Sequence, residues 1–430
     1  MNNFYIKKLT LRNFKGYEYI EIPLEKGVNI LYGTNGTGKT SILEALTVAV
    51  GSFFMKFSNV EKRLIKNSDI RLKRLNDDRY PTYQFPVEVE GEGVWSSDGI
   101  IHWKRSLNSI ASTTTNILAR EMENISGQMF EYMQTGENQT LPLIAYFSTG
   151  RLFEERKYFE KKPDGKAIGY YNALNATNIR KHIQSWFADA EFEQYQKRQT
   201  DPAFTDIALK LIKQLILQCF DGNWKDIYYF EPKSNKKTPL DKGLFIVKND
   251  GSIISERALS DGQRNFMWLI VELGWRACML NPHLGETVFE EVQGVVLVDE
   301  IDLHLHPKWQ QTIVGILAKS FPQLQFVLST HSPIVISSAN AHILKLEEHK
   351  IVPQPKLYGM KAADIMRQFM GTSERLPEIT DLVQQYFELI NREEYANDAA
   401  LEIRKKLEQI IPSHDTLFTE ADALIDFLKL

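Results

Sequence analysis

The sequence predicts an α/β fold, a buried parallel sheet flanked by helices, and three stretches predict it. The first is the apolar run Val28-Asn29-Ile30-Leu31-Tyr32, followed by a glycine-rich loop, Gly33-Thr34-Asn35-Gly36-Thr37-Gly38-Lys39-Thr40, and then the strong helix former Ser41-Ile42-Leu43-Glu44-Ala45-Leu46. The second is Gly294-Val295-Val296-Leu297-Val298, an aliphatic strand capped by Asp299-Glu300. The third is Leu324-Gln325-Phe326-Val327-Leu328-Ser329, which runs into the polar tip Thr330-His331-Ser332-Pro333. Consecutive aliphatic residues indicate strands covered on both faces, as in parallel sheets. Ligands of such sheets lie beyond the carboxyl ends of the strands.

The loop at 33–40 fits the pattern G-x-x-x-x-G-K-[ST], a phosphate-binding P-loop. Glycines let successive N–H groups turn inward over the positive end of a helix dipole. Gly33, Thr34, Asn35, Gly36, Thr37, Gly38, Lys39, Thr40 and Ser41 are therefore the candidate nucleotide-binding residues. Lys39 reaches the β- and γ-phosphates, and the Thr40 hydroxyl ligates Mg²⁺, so ATP with Mg²⁺ is the expected cofactor. Asp299 and Glu300 are expected to point in different directions at a strand end, because strand side chains alternate. Asp299 is assigned to the metal and Glu300 to the attacking water. His331, on the same sheet edge, is placed to hydrogen-bond the γ-phosphate. His304 and His306 with Asp302 have the residue types of a zinc site, but the spacing places no third clear ligand.

Taken in order, the chain opens with two or three strands over residues 4–32, where Ile6–Leu11 and Tyr19–Ile22 alternate. The P-loop helix is expected to reach about Val50. Between Val60 and Arg79 lie Lys62, Arg63, Lys66, Arg71, Lys73, Arg74 and Arg79, diluted by Glu61, Asp69, Asp77 and Asp78. This is either a track for a DNA backbone or a solvated face. Strands return over 83–105, with Gly91, Gly93 and Asp98-Gly99 read as turns. A polar helical stretch at 110–134 leads to the apolar run Leu141–Phe147, which ends in Ser148-Thr149-Gly150-Arg151 at a possible site edge. Residues 175–222 read as helical, strands follow at 226–231 and 243–248, and the chain after Lys356 is helical and charged.

The 430 residues, 43% hydrophobic and 25% charged, have the balance of a globular protein large enough for one big or two moderate cores. A net charge of −4 gives no global attraction to nucleic acid. Cys219 and Cys278 make no disulfide framework, the start lacks a signal-peptide pattern, and no apolar run is long enough to span a bilayer. A cytoplasmic, membrane-free protein is the expectation.

Ala258-Leu259-Ser260-Asp261-Gly262-Gln263 resembles the LSGGQ signature of ABC-type ATPases, with Asp261 in place of the first glycine. Asp299-Glu300-Ile301-Asp302-Leu303-His304-Leu305-His306-Pro307 resembles the Walker B and D-loop of the RecF/SMC/OLD branch, and Thr330-His331-Ser332-Pro333 its switch histidine. Leu11-Arg12-Asn13-Phe14-Lys15-Gly16 also resembles that branch. The resemblance implies that Arg12 and Asn13 lie near the nucleotide. It also implies that Ser260, Gly262 and Gln263 close in trans on ATP held by another copy. At least a homodimer of ATP-sandwiched heads would follow. The run at 141–151 resembles the Q-loop in its position but contains no glutamine.

Within the branch, the compact head, the stretch Leu141–Arg151 and the tail around Ala363–Gly371 resemble the Septu anti-phage ATPase subunits and their retron-linked relatives. That resemblance implies a separate HNH nuclease partner (PtuB-like) whose DNA cleavage the ATPase regulates, with DNA bound directly or through the nuclease. The sequence after His331 is expected to be too short for the Toprim nuclease of OLD-type proteins. A RecF-like repair ATPase is the alternative reading. The expected architecture is an ABC-type P-loop head in four parts. Residues 1–150 carry the Walker A motif and 151–240 form an inserted helical lobe. Residues 241–355 hold the signature, Walker B, D-loop and switch histidine, and 356–430 are a helical tail that binds the partner.

Overall fold

A computed structural model describes residues 4–74, 80–95, 99–152, 162–175, 179–220, 222–231 and 242–429. The chain divides into two units, Met1–Gly359 and Met360–Leu430.

The first unit is built on a six-stranded sheet. Five of its strands run parallel, in the spatial order His342–Glu347, Val28–Tyr32, Leu324–Thr330, Gly294–Val298 and Leu143–Phe147. Lys350–Val352 adds an antiparallel edge. Gly294–Val298, Leu324–Thr330 and Leu143–Phe147 are buried at every position, as expected of strands covered on both faces. The register pairs Thr330 with Tyr32, and Val298 with both Leu328 and Phe147. The P-loop, Asp299, His331 and Ser148 therefore all leave the sheet at one edge.

A four-stranded antiparallel sheet joins Tyr17–Pro23, Tyr5–Phe14, Val87–Val94 and Ile100–Leu107 in that spatial order. Here Gly91 and Gly93 are strand residues rather than turns. A Cβ at Gly91 would overlap the Trp103 ring, and one at Gly93 would overlap the Tyr5 carbonyl. Glycine serves close packing at these two positions. Of the turn expected at Asp98-Gly99, Asp98 lies outside the described residues and Gly99 has φ +111°.

The P-loop helix, Lys39–Val50, runs into a short 3₁₀ turn at Gly51–Phe54. Phe53, Phe54, Phe57, Trp95 and Tyr170 pack there at ring distances of 4.9–6.1 Å. At the carboxyl end of the same helix, the buried Arg105 donates to the carbonyls of Val48 (3.0 Å) and Arg63 (2.6 Å), and Trp103 Nε1 donates to Ala49 O at 3.0 Å. A cation at a helix carboxyl end complements the dipole and satisfies carbonyls that lack an intrahelical donor.

The helical stretches are Arg120–Thr135, Arg180–Arg198, Ile207–Cys219 and the long Asp261–Leu280. Residues 109–116 precede the first of these as turns, shorter of helix than the sequence suggested. In the basic stretch, Arg63 pairs with Asp69 at 2.9 Å and Arg71 with Glu18 at 2.8 Å, which neutralises two of its cations internally. Asp77, Asp78 and Arg79 lie outside the described residues, as does most of the 232–242 segment.

The second unit consists of Ala362–Gln368, Pro377–Asn391, Asp398–Ile410 and Thr416–Leu428. Tyr386, Ile390, Leu407, Ile411, Leu417 and Phe418 form its core. Arg404 bridges Asp422 at 2.6 Å and Glu408 at 2.7 Å, over the Phe418 ring.

Candidate active site

A cleft of about 280 Å³ opens at the sheet edge. On one side it is lined by Asn35, Gly36, Gly38, Lys39, Thr40 and Ser41, and on the other by Asp299, Glu300 and His331. The loop is held by its own bonds. Thr37 Oγ1 donates to Thr34 O at 2.9 Å, and Lys39 Nζ donates to the carbonyls of Gly33 (2.9 Å) and Thr34 (3.1 Å). Tyr17, from the antiparallel sheet, braces the loop from outside by donating its hydroxyl to Thr37 O at 2.9 Å. Its ring meets His349 edge-on at 5.2 Å. Burial lowers the Lys39 pKa from its ordinary value, and Asp299, Glu300 and Asp302 oppose that shift.

Asp299 is buried and doubly bonded. Thr40 Oγ1 donates to its Oδ2 at 2.9 Å and Ser329 Oγ to its Oδ1 at 2.6 Å. A hydroxyl and a carboxylate converging at this distance are the hard oxygen donors that suit Mg²⁺. Glu300 departs from the expectation. The strand ends at Val298, so alternation does not orient the two acids. Glu300 instead lies at φ +48°, in the left-handed region. For a non-glycine residue that conformation costs on the order of 1–3 kcal/mol and persists only where the surroundings hold it. They do: Glu300 N donates to Ser329 Oγ at 2.8 Å, and its carbonyl accepts from Arg151 Nη2 at 2.7 Å and from Leu303 N at 3.0 Å.

His331 faces the same cleft. Burial lowers its pKa first, the Lys39 charge lowers it further, and the acids Asp302, Glu300 and Asp299 pull the other way. A neutral imbidazole ring at neutral pH keeps one donor and one acceptor available.

The other candidates lie apart. Ser260 caps the helix Asp261–Leu280 and shares a capping box with Gln263, whose N–H reaches Ser260 Oγ at 3.3 Å. Gly262 packs so closely on the next loop that a Cβ there would overlap the His304 carbonyl. None of these three lines the P-loop cleft of its own chain. Arg12 pairs with Glu88 at 3.4 Å on the antiparallel sheet, and Asn13 donates to Pro86 O at 3.0 Å. Neither lines that cleft. The histidines near the D-loop have local work. His306 accepts from Lys308 N at 3.3 Å at the start of a helix, and Asp302 accepts from Thr330 Oγ1 at 2.5 Å. Among the described residues, no group of three or more His, Cys, Asp or Glu gathers as a metal site.

Sequence reasoning placed Arg151 at a site edge without giving it a role, and it missed Ser329 and Tyr17. A serine inside an otherwise aliphatic strand was the available signal for Ser329. Nothing in the sequence pointed to Tyr17.

The family model described as "AAA domain" matches residues 8–221. The Retron Vc95 probable ATPase of Vibrio cholerae is 28% identical over 93% of this chain and 87% of its own length. The Retron Ec83 probable ATPase of Escherichia coli is 28% identical over 96% of this chain and 85% of its length. Septu protein PtuA of Bacillus thuringiensis is 23% identical over 90% of each chain.

Proposed function

We propose that this chain, an ABC-type ATPase related to the Septu PtuA and retron ATPases, is the regulatory subunit of an anti-phage complex and gates DNA cleavage by a separate HNH nuclease. In this reading it binds ATP with Mg²⁺ at the P-loop cleft, and two or more copies close on the nucleotide. The observation that carries the ATPase chemistry is the meeting of Lys39, Thr40, Asp299, Glu300 and His331 at one sheet edge. Lys39 neutralises the β- and γ-phosphates, Thr40 and Asp299 hold Mg²⁺, Glu300 orients water, and His331 contacts the γ-phosphate. The metal supplies charge neutralisation at the transferring phosphoryl group.

Closure between copies is supported by the position of Ser260, Gly262 and Gln263. They stand outside their own chain's cleft, at the amino end of a 20-residue helix whose first N–H groups suit a phosphate from a second copy. The partner and the defence role rest on the resemblance to Septu subunits. The tail is the proposed partner-binding region, and no nuclease centre of its own is assigned to the chain. DNA reaches the complex directly or through the nuclease.

The test is co-purification of the tagged chain from its native operon, with mass spectrometry of what accompanies it. An HNH nuclease in fixed stoichiometry is expected. Recovery with repair proteins and DNA instead would replace this reading with the RecF-like one. A Glu300→Gln chain with ATP and Mg²⁺ is expected to run as a dimer or larger assembly by light scattering, and a monomer there would remove head closure from the mechanism.

A further inference from the structure

Arg151 stands at the end of the buried strand Leu143–Phe147, next to the strand that carries Asp299. The residue is only 8% exposed. Nη1 donates to Ser148 O at 2.9 Å and to Asp299 O at 2.6 Å, and Nη2 donates to Glu300 O at 2.7 Å. The guanidinium thus grips the backbone of the two acidic residues rather than their carboxylates. Across the acids, Ser329 holds the other side by accepting from Glu300 N and donating to Asp299 Oδ1. The left-handed φ of Glu300 is fixed between these two supports. The direction of its Cβ, and so the reach of its carboxylate into the cleft, follows from that backbone.

A second contact connects this grip to a distant element. Arg180 Nη2 donates to Arg151 O and to Asn265 Oδ1, each at 3.0 Å. Asn265 lies in the helix that begins at the signature, and the Arg180 guanidinium sits 5.8 Å from the Trp268 ring of the same helix.

We propose that Arg151 is a positioning residue for ATP hydrolysis. It clamps the Asp299 and Glu300 carbonyls so that Glu300 faces the attacking water, and Arg180 ties that clamp to the signature helix. A shift of the helix on nucleotide closure then reaches the water-orienting carboxylate through two guanidinium groups. The inference rests on the role given to Glu300 above.

The test is a double-mutant cycle in the full chain with ATP and Mg²⁺. Lysine keeps the charge of Arg151 but lacks the fork needed to hold two carbonyls. Arg151→Lys is expected to leave ATP affinity within about twofold and to lower kcat about 10–100-fold, the range that misplacement of a reacting group by about 1 Å produces. In a Glu300→Gln background the same substitution is expected to change the residual rate by less than about twofold, because the group it positions has lost its charge. An unchanged kcat, or a loss that multiplies with that of Glu300→Gln, would overturn the proposal. If Glu300→Gln alone is slow while the two effects multiply, the clamp fails and the role of Glu300 stands. If Glu300→Gln alone turns over normally, both fail. Should Arg151→Lys not fold, Arg180→Gln carries the same cycle, with a kcat loss at unchanged ATP affinity and the same non-additivity expected.

Discussion

Lys39 sits with its ammonium against the carbonyls of Gly33 and Thr34 and within the field of Asp299, Glu300 and Asp302. Replacing it with alanine removes the P-loop cation proposed to face the phosphates. Lys39→Ala is expected to abolish ATP binding in calorimetry, and undiminished affinity would contradict the assignment. Glu300→Gln preserves shape but removes the negative charge. It is expected to retain ATP and to slow hydrolysis roughly 10²–10⁴-fold, the contribution usual for a general base, as measured by phosphate release. Normal turnover would take the water-orienting role from Glu300. Burial and the Lys39 charge hold the His331 pKa below its ordinary value, which favours the neutral ring, so the phosphate contact proposed for it is a hydrogen bond rather than an ion pair.

At the scale of elements, the P-loop helix depends on Arg105 as well as on its own sequence. Burial pushes the Arg105 pKa down to about 10, yet it remains charged at neutral pH and bonds the carbonyls of Val48 and Arg63. Arg105→Met keeps much of the volume and leaves those buried acceptors without their donor. A loss of about 1–3 kcal/mol is expected in urea denaturation, the cost of unsatisfied buried groups. No change in the midpoint would mean that water or a neighbouring group replaces the guanidinium. The packing of Gly262 on the His304 carbonyl has a related consequence. It packs the start of the helix Asp261–Leu280 against the loop that follows Asp299 and Glu300, so two stretches far apart in sequence lie side by side.

At the scale of the whole first unit, the half-buried His182 ties stability to pH. The His182 ring lies between Tyr171 and Trp275, each at 5.3 Å, beside Lys162. Burial, then the charges of Lys162 and Arg276, push its pKa from 6.5 down to about 4. The unfolded chain therefore takes up the proton first as the pH falls. The stability tied to the neutral ring is full above about pH 6.5 and is lost progressively toward pH 4. His182→Phe cannot protonate. Its denaturation midpoint is expected to drop less between pH 7 and pH 5 than that of the unsubstituted chain, and equal drops would place the acid sensitivity elsewhere. Among the described residues, no helix is long and apolar enough to cross a membrane.

The sequence by itself determined the P-loop, the acid-capped strand and the strand ending in His331, because each is a local pattern. An aliphatic run, a glycine spacing and a polar tip have physical meaning without knowledge of what lies beside them. Parallel pairing then brings those tips to one edge, as the motifs implied. Tertiary structure alone decided how Glu300 is aimed. Its orientation comes from a left-handed turn held by Ser329 and Arg151, which are 29 and 149 residues away. It also decided that Gly91 and Gly93 are strand residues, since only the Trp103 ring and the Tyr5 carbonyl across the sheet make glycine necessary there. Contacts of this kind join residues remote in sequence through hydrogen bonds and close packing, and such partners leave no periodicity for a one-dimensional pattern to carry.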